Sequence, residues 1–199
     1  MTRYVVLGLV AAVATAGAAY AQNEAPPPPA PPPAAVPPAP APPAAAPSAA
    51  IAPYLVSAID KVCDPLIRGQ KLKDVSQATG LRRFRDAYAL QGPGVERVII
   101  TPPSVANPTV CQMTINYELG QTPGVVAALS NWAASQNPPL QVLSAGYAAG
   151  AGVTGWTWEY DSGAVHQGLV FDYQQTPDGK PLGRTFEVGT LLYSHATGG

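Results

Sequence analysis

The side chains that could do chemistry are few and far apart. Glu118, Glu159, Asp172 and Glu187 fall in alternating segments that would turn them toward one polar sheet face. Two carboxylates about 5–9 Å apart can cleave a glycosidic bond, and the same oxygens would suit calcium. Glu159 and Asp172 are the pair this reading nominates as catalytic. Alternation, however, puts polar residues on the wet face of any antiparallel sheet, and solvation is the reading carried forward. The two histidines are His166 and His195, and both read as surface or hairpin residues. A Ser/His/Asp system needs a positioned serine, and Leu143-Ser144-Ala145-Gly146 lacks the leading glycine of a nucleophile elbow. With no HExxH and no Cys/His cluster, neither a metal site nor a cofactor is expected.

The positive charge is segregated. Eight basic residues lie between Lys61 and Arg97, whereas beyond Arg97 only Lys180 and Arg184 face six acids. Arg82, Arg83 and Arg85 are therefore the ligand-binding candidates, suited to an anionic envelope polymer or lipid head groups. A solvated face, partly neutralised by Asp64, Asp74 and Asp86, would use the same residues. The net charge of −1 lacks the basic excess of a nucleic-acid binder.

Asp161-Ser162-Gly163-Ala164 resembles the Asp-Ser/Thr-Gly-Ala signature of retroviral-type aspartic proteases, a resemblance that would make Asp161 one of two carboxylates sharing a proton in a dimer. It covers four residues, Glu159-Tyr160 replace the apolar lead-in, and no later apolar-Ile-Gly segment matches. The same residues are ordinary hairpin-turn chemistry, and the turn is the reading carried forward.

Cys63 and Cys111 are the only cysteines. Cys63 lies on the apolar stripe of a helical segment and Cys111 on the apolar face of a strand, so both point at one core. A structural disulfide is expected; without a CxxC spacing, a redox pair is not.

The elements that must position these residues are read from periodicity. Leu55, Ile59, Val62, Cys63 and Leu66 make a helical stripe over 54–67, which Asp64-Pro65 interrupts. A second helix, Leu72 to Thr79, stops at Gly80. Leu81-Arg82-Arg83-Phe84-Arg85 fits no element. Strands follow at Val98–Thr101 and Thr109–Leu119, then a helix opened by Thr122-Pro123 with Val125, Val126, Leu129, Trp132 and Ala133 buried. Leu140 to Gly146 is a strand before a glycine-rich loop at 148–152. Trp156, Trp158 and Tyr160 mark the core face of another, turning at Asp161-Ser162-Gly163; Leu169, Phe171 and Tyr173 mark the next. A last strand runs from Arg184 to Ser194 after a Pro177-Asp178-Gly179 turn. The expected fold is α+β: N-terminal helices, then an antiparallel sheet of about five to six strands with a crossing helix packed on one face.

Residues 1–21 have the parts of a cleaved secretory signal: Arg3, an apolar run from Tyr4 to Val13, and Ala19-Tyr20-Ala21. An uncleaved anchor is the alternative, but the apolar run is short against the ~20 residues of a span. Residues 22–53 read as a disordered Ala/Pro spacer; 14 of the chain's 24 prolines fall between Ala25 and Pro53, which favours polyproline II. Residues 54–199 read as one globular domain. The whole points to an exported protein, periplasmic before extracellular, without a transmembrane segment once the leader is removed. Its expected role is non-catalytic: binding or interaction with an anionic envelope polymer or an envelope protein. A glycan-directed envelope hydrolase and a purely structural domain are the alternatives.

Overall fold

The structure, a computed structural model, describes residues 49–92 and 94–197. The leader, and the spacer up to residue 48, lie outside the described residues. Order reaches further back than Tyr54: Ala49 and Ile51 are buried and the first helix, α1 (Ala52–Ala58), contains Pro53. Proline is tolerated there because a first-turn N–H has no helical partner anyway. Ile51, the first large aliphatic residue after the Ala/Pro run, anchors this entry in the core.

Pro65 does not break the helix. A π-helical turn, Ile59–Cys63, joins α1 to α2 (Asp64–Ile67), and the Asp64 N–H bonds to the Ile59 carbonyl. Widening the backbone by one residue there gives room to a ring that would otherwise meet the carbonyl four residues earlier. Leu55, Ala58, Ile59, Val62 and Cys63 are buried along this run. α3 (Leu72–Thr79) ends at Gly80, whose φ of 70° is the left-handed C-cap conformation.

The sheet has eight strands, not five to six. They are β1 (Arg82–Phe84), β2 (Ala87–Gln91), β3 (Arg97–Thr101), β4 (Val110–Glu118), β5 (Gln141–Gly150), β6 (Val153–Asp161), β7 (Val165–Gln174) and β8 (Phe186–Thr197). All pairs are antiparallel, in the order β1-β2-β3-β4-β8-β7-β6-β5. Two meanders thus meet at the β4–β8 ladder, which pairs Val110 with Ser194 through Glu118 with Phe186. The helices do not sit at the chain's N-terminus: they start at Ala52, and α4 (Thr122–Ser135) falls between β4 and β5, carrying the chain from the sheet centre to its far edge. The fold is α+β.

Two expectations are corrected. Arg82–Phe84, which fitted no element, is the edge strand of a hairpin whose turn residue Arg85 has φ 54°, a position that normally selects glycine. The glycine-rich segment is no loop: β5 runs to Gly150 and turns tightly through Gly152 into β6. β5 is almost wholly exposed, and three register shifts along it disrupt the ladder at this open edge.

One face of the sheet is the core. Cys111, Met113, Ile115 and Tyr117 of β4 pair into the row that holds Leu191 and Tyr193 of β8, then Leu169 and Phe171 of β7; all are buried. Trp158 continues the row and is buried, with Trp156 stacked on Phe171 at 5.7 Å. α4 lays Val125, Leu129, Trp132 and Ala133 on this face, and Trp132 meets Tyr193 edge-on at 5.8 Å. Each large side chain so buried contributes about 1.5–3 kcal/mol.

Cys63 and Cys111 are bonded, with Cα atoms 5.6 Å apart. The link ties the last residue of the π-turn to β4, helix to sheet. Closing a loop of sequence separation 48 contributes roughly 4 kcal/mol in the chain-entropy description. Replacing both cysteines by alanine is expected to lower the melting temperature by about 10 °C while leaving far-UV circular dichroism at low temperature unchanged. An unchanged melting temperature would show that the link adds nothing to stability.

Candidate functional site

A groove of about 720 Å³ lies between α1, the end of α3 and the β1–β2 hairpin. Tyr54, Phe84 and Leu90 supply apolar wall, and Arg82 and Arg83 supply charge. Arg83 Nε donates to the Arg85 carbonyl at 3.3 Å, and neither Arg82 nor Arg83 pairs with a carboxylate among the described residues. Arg85 lies at the hairpin turn instead, with its guanidinium 5.6 Å from the Phe84 ring centroid. Arg97 reaches the same ring at 5.2 Å. Phe84 therefore gathers cations at the edge of the sheet through the negative face of its π-system.

The structure divides the nominated carboxylates. Glu159 pairs with Gly168 and Asp172 with Gly155, which puts both on the outer face but four residues apart, about 13 Å of strand. Asp172 Oδ1 is buried without a hydrogen-bond partner beside the Tyr147 ring, over Gly155, and burial pushes its carboxyl above the usual range. Glu118 shares that outer face. Glu187 does not: it pairs with Tyr117 and is buried on the core face. Its Oε2 accepts from the Thr122 amide at 3.1 Å and hydroxyl at 2.9 Å, and its Oε1 from the Tyr173 hydroxyl at 3.2 Å. The carboxylate caps the N-terminus of α4, where the helix dipole favours negative charge. Thr122, the first helical residue, is itself capped by this carboxylate.

A second concavity, about 380 Å³, opens where α2, α4 and β8 meet. Asp64 is its centre. Asp64 Oδ2 accepts from Arg68 Nε at 2.7 Å, and Oδ1 accepts from the Tyr193 hydroxyl at 2.9 Å. His195 Nδ1 lies 3.3 Å from that Oδ1 and 3.2 Å from Arg68 Nη2, so one tautomer donates to the carboxylate and the other accepts from the guanidinium. Gln167 donates to the Tyr193 hydroxyl at 3.2 Å, and Trp132 Nε1 donates to Asp60 at 2.7 Å. Burial works against the Asp64 carboxylate, but the hydrogen bonds from Arg68, Tyr193 and His195 outweigh it and hold its carboxyl below the usual range. Burial and the adjoining Asp64 push the Tyr193 phenol up. Here the charged groups are spent on one another, and the network fastens α2 to β8.

Sequence reasoning missed this cluster because its two halves lie about 130 positions apart. The signals present were the i,i+4 pair Asp64–Arg68 and the β8 alternation that puts Tyr193 and His195 on one face. His166 lies at the surface of the β6–β7 hairpin, as expected, with its Nδ1 3.4 Å from Glu159 Oε1 and 3.8 Å from Asp161 Oδ2. The Asp161-Ser162-Gly163 segment is indeed the β6–β7 hairpin turn, with the Ser162 amide bonded to the Val165 carbonyl at 3.1 Å.

No family model, curated protein or solved structure matches this chain. No helix among the described residues is long and apolar enough to cross a membrane.

The depressed Asp64 carboxyl sets the sign of a pH effect. Its ionised form stabilises the fold above the unfolded value near 4, and that contribution fades as pH falls through the lower folded value. Asp64→Asn is expected to cost about 2 kcal/mol near pH 7, read as a melting temperature roughly 5 °C lower, with the gap narrowing steadily as pH falls below about 4. A gap of the same size at pH 7 and throughout the acid range would mean that packing, not the carboxylate charge, is what was lost.

Proposed function

We propose that this is an exported, non-catalytic binding domain that holds an anionic component of the bacterial cell envelope against Arg82 and Arg83. One observation carries the reading: among the described residues the groove's arginines have no carboxylate partner, and they stand beside an aromatic and aliphatic wall. Cations left free in a concavity attract an anion, while Tyr54, Phe84 and Leu90 suit the apolar part of the same ligand. Arg85 and Arg97, gathered on Phe84, add to the field at its rim. The leader sequence and the disulfide agree with an oxidising compartment outside the cytoplasm, and the periplasm is the compartment we favour. A glycan-directed hydrolase using Glu159 and Asp172 finds less support, since the register spaces them about 13 Å apart and retaining or inverting pairs work at roughly 5–9.5 Å.

The test is co-sedimentation of the mature chain with anionic phospholipid vesicles, with neutral vesicles and with cell-wall sacculi across a salt series. Binding to one anionic material is expected, weakening as salt rises, and Arg82→Ala with Arg83→Ala should reduce it about tenfold. Equal binding of neutral vesicles, or a double variant that binds like the wild type, would reject the groove as the site.

A further inference from the structure

We propose that Glu159, Asp161 and His166 form a binding site for a divalent transition metal, with zinc the ion their donors fit. The site lies on the outer face of the β6–β7 hairpin, away from the arginine groove, and stands independently of the function proposed above. Asp161 pairs directly with His166 across the hairpin, and Glu159 is two residues up the same strand, so the pleat turns all three to one side. Their ligand atoms lie within 4.8 Å of one another, and no other such trio occurs among the described residues.

The spacing is close to what a shared metal ion requires. Zinc bonds of about 2.0–2.1 Å in a tetrahedron set neighbouring ligand atoms about 3.3–3.4 Å apart. His166 Nδ1 stands at 3.4 Å from Glu159 Oε1 and at 3.8 Å from Asp161 Oδ2. The three side chains are about a third to a half exposed, so small rotamer changes can complete the fit. Asp161 Oδ1 is already used, accepting from the Gly163 amide at 2.7 Å, which leaves Oδ2 for the metal.

Charge points the same way. No lysine or arginine occurs between Arg97 and Lys180, and neither Glu159 nor Asp161 forms an ion pair with one among the described residues. Two carboxylates on adjacent rungs of one strand repel each other, and a dication relieves that repulsion as an uncharged imidazole does not. One imidazole with two carboxylates is an intermediate donor set that suits zinc better than calcium or magnesium, which prefer oxygen alone. Three protein ligands leave a fourth position open. A concavity of about 240 Å³, walled by the exposed Val142 and Leu143, adjoins Glu159 and Asp161, and an oxygen donor arriving there could occupy that position.

The test is calorimetric titration of the mature chain with zinc, calcium and magnesium chlorides after dialysis against chelator. One equivalent of zinc is expected to bind, calcium and magnesium far more weakly. His166→Ala and Asp161→Asn should each weaken zinc at least about tenfold. Asp74→Asn, which removes a carboxylate from α3 at no cost to the site, should bind zinc as the wild type does. Melting curves in chelator, expected to match across the set, separate a lost ligand from a lost fold. In the cobalt-substituted chain, visible absorption bands that vanish with His166→Ala would report the imidazole bond directly. No saturable zinc binding would leave Glu159, Asp161 and His166 as an exposed ion-pair cluster only and overturn the proposal. Zinc binding unaffected by His166→Ala, or calcium binding as tight as zinc, would overturn it too.

Discussion

The β4–β8 ladder is the interaction on which the rest of this domain depends. It is the single seam between two four-stranded meanders, and α4 and three further strands separate its two strands in the chain. Because paired residues share a face, this one register decides what the core contains. Cys111, Met113, Ile115 and Tyr117 turn inward with Tyr193, Leu191 and Glu187. Three fastenings then hang from these residues: the disulfide from Cys111, the α4 cap from Glu187, and the Asp64 network from Tyr193. A slip of one residue would expose the cysteine and bury Gln112, so the register is strongly specified.

Those fastenings explain why the concavities differ in chemistry. At the β8 end, Arg68 and His195 are committed to Asp64, and the cleft behaves as a joint between helix and sheet. At the β1–β2 edge no carboxylate among the described residues pairs with Arg82 or Arg83, and the wall beside them is apolar. On the outer face the imbalance is reversed: among the described residues Glu159 and Asp161 have no lysine or arginine partner, only the ring of His166. The segregation of basic front and acidic back in the chain thus becomes two surfaces of opposite character on one sheet.

What the sequence revealed depended on how local the cause was. β4 and α4 were readable because each carries a complete pattern of its own, strict alternation in one and a stripe at helical spacing in the other. Cys63 and Cys111 could be paired because both stripes were readable. β1 escaped because Arg82-Arg83-Phe84 has no alternation and its turn uses Arg85 where glycine is usual. β8 was seen as a strand, but Glu187, Gly189 and Leu191 alternate with Val188, Thr190 and Leu192, and both sets contain apolar residues. Nothing local chooses between its faces. Only the pairing with Tyr117 does, and that turned Glu187 from an outward carboxylate into a buried cap. The Glu159–Asp161–His166 trio lay nearer to hand, since the hairpin turn fixes which residues face each other across it. The Asp64–His195 contact spans most of the domain, and the local patterns at its two ends do not connect them.

The central claim is that the arginine groove, not the Asp64 cleft, is where this domain meets an anionic partner. Backbone amide chemical shifts of the isotope-labelled mature chain, recorded while a short-chain anionic phospholipid is added below its micelle concentration, would test it most directly. The account expects the perturbed amides to cluster at Arg82–Phe84, Leu90 and the first turns of α1, saturating together. Perturbations centred on Asp64, Arg68 and His195, or spread evenly over the surface without saturation, would contradict it.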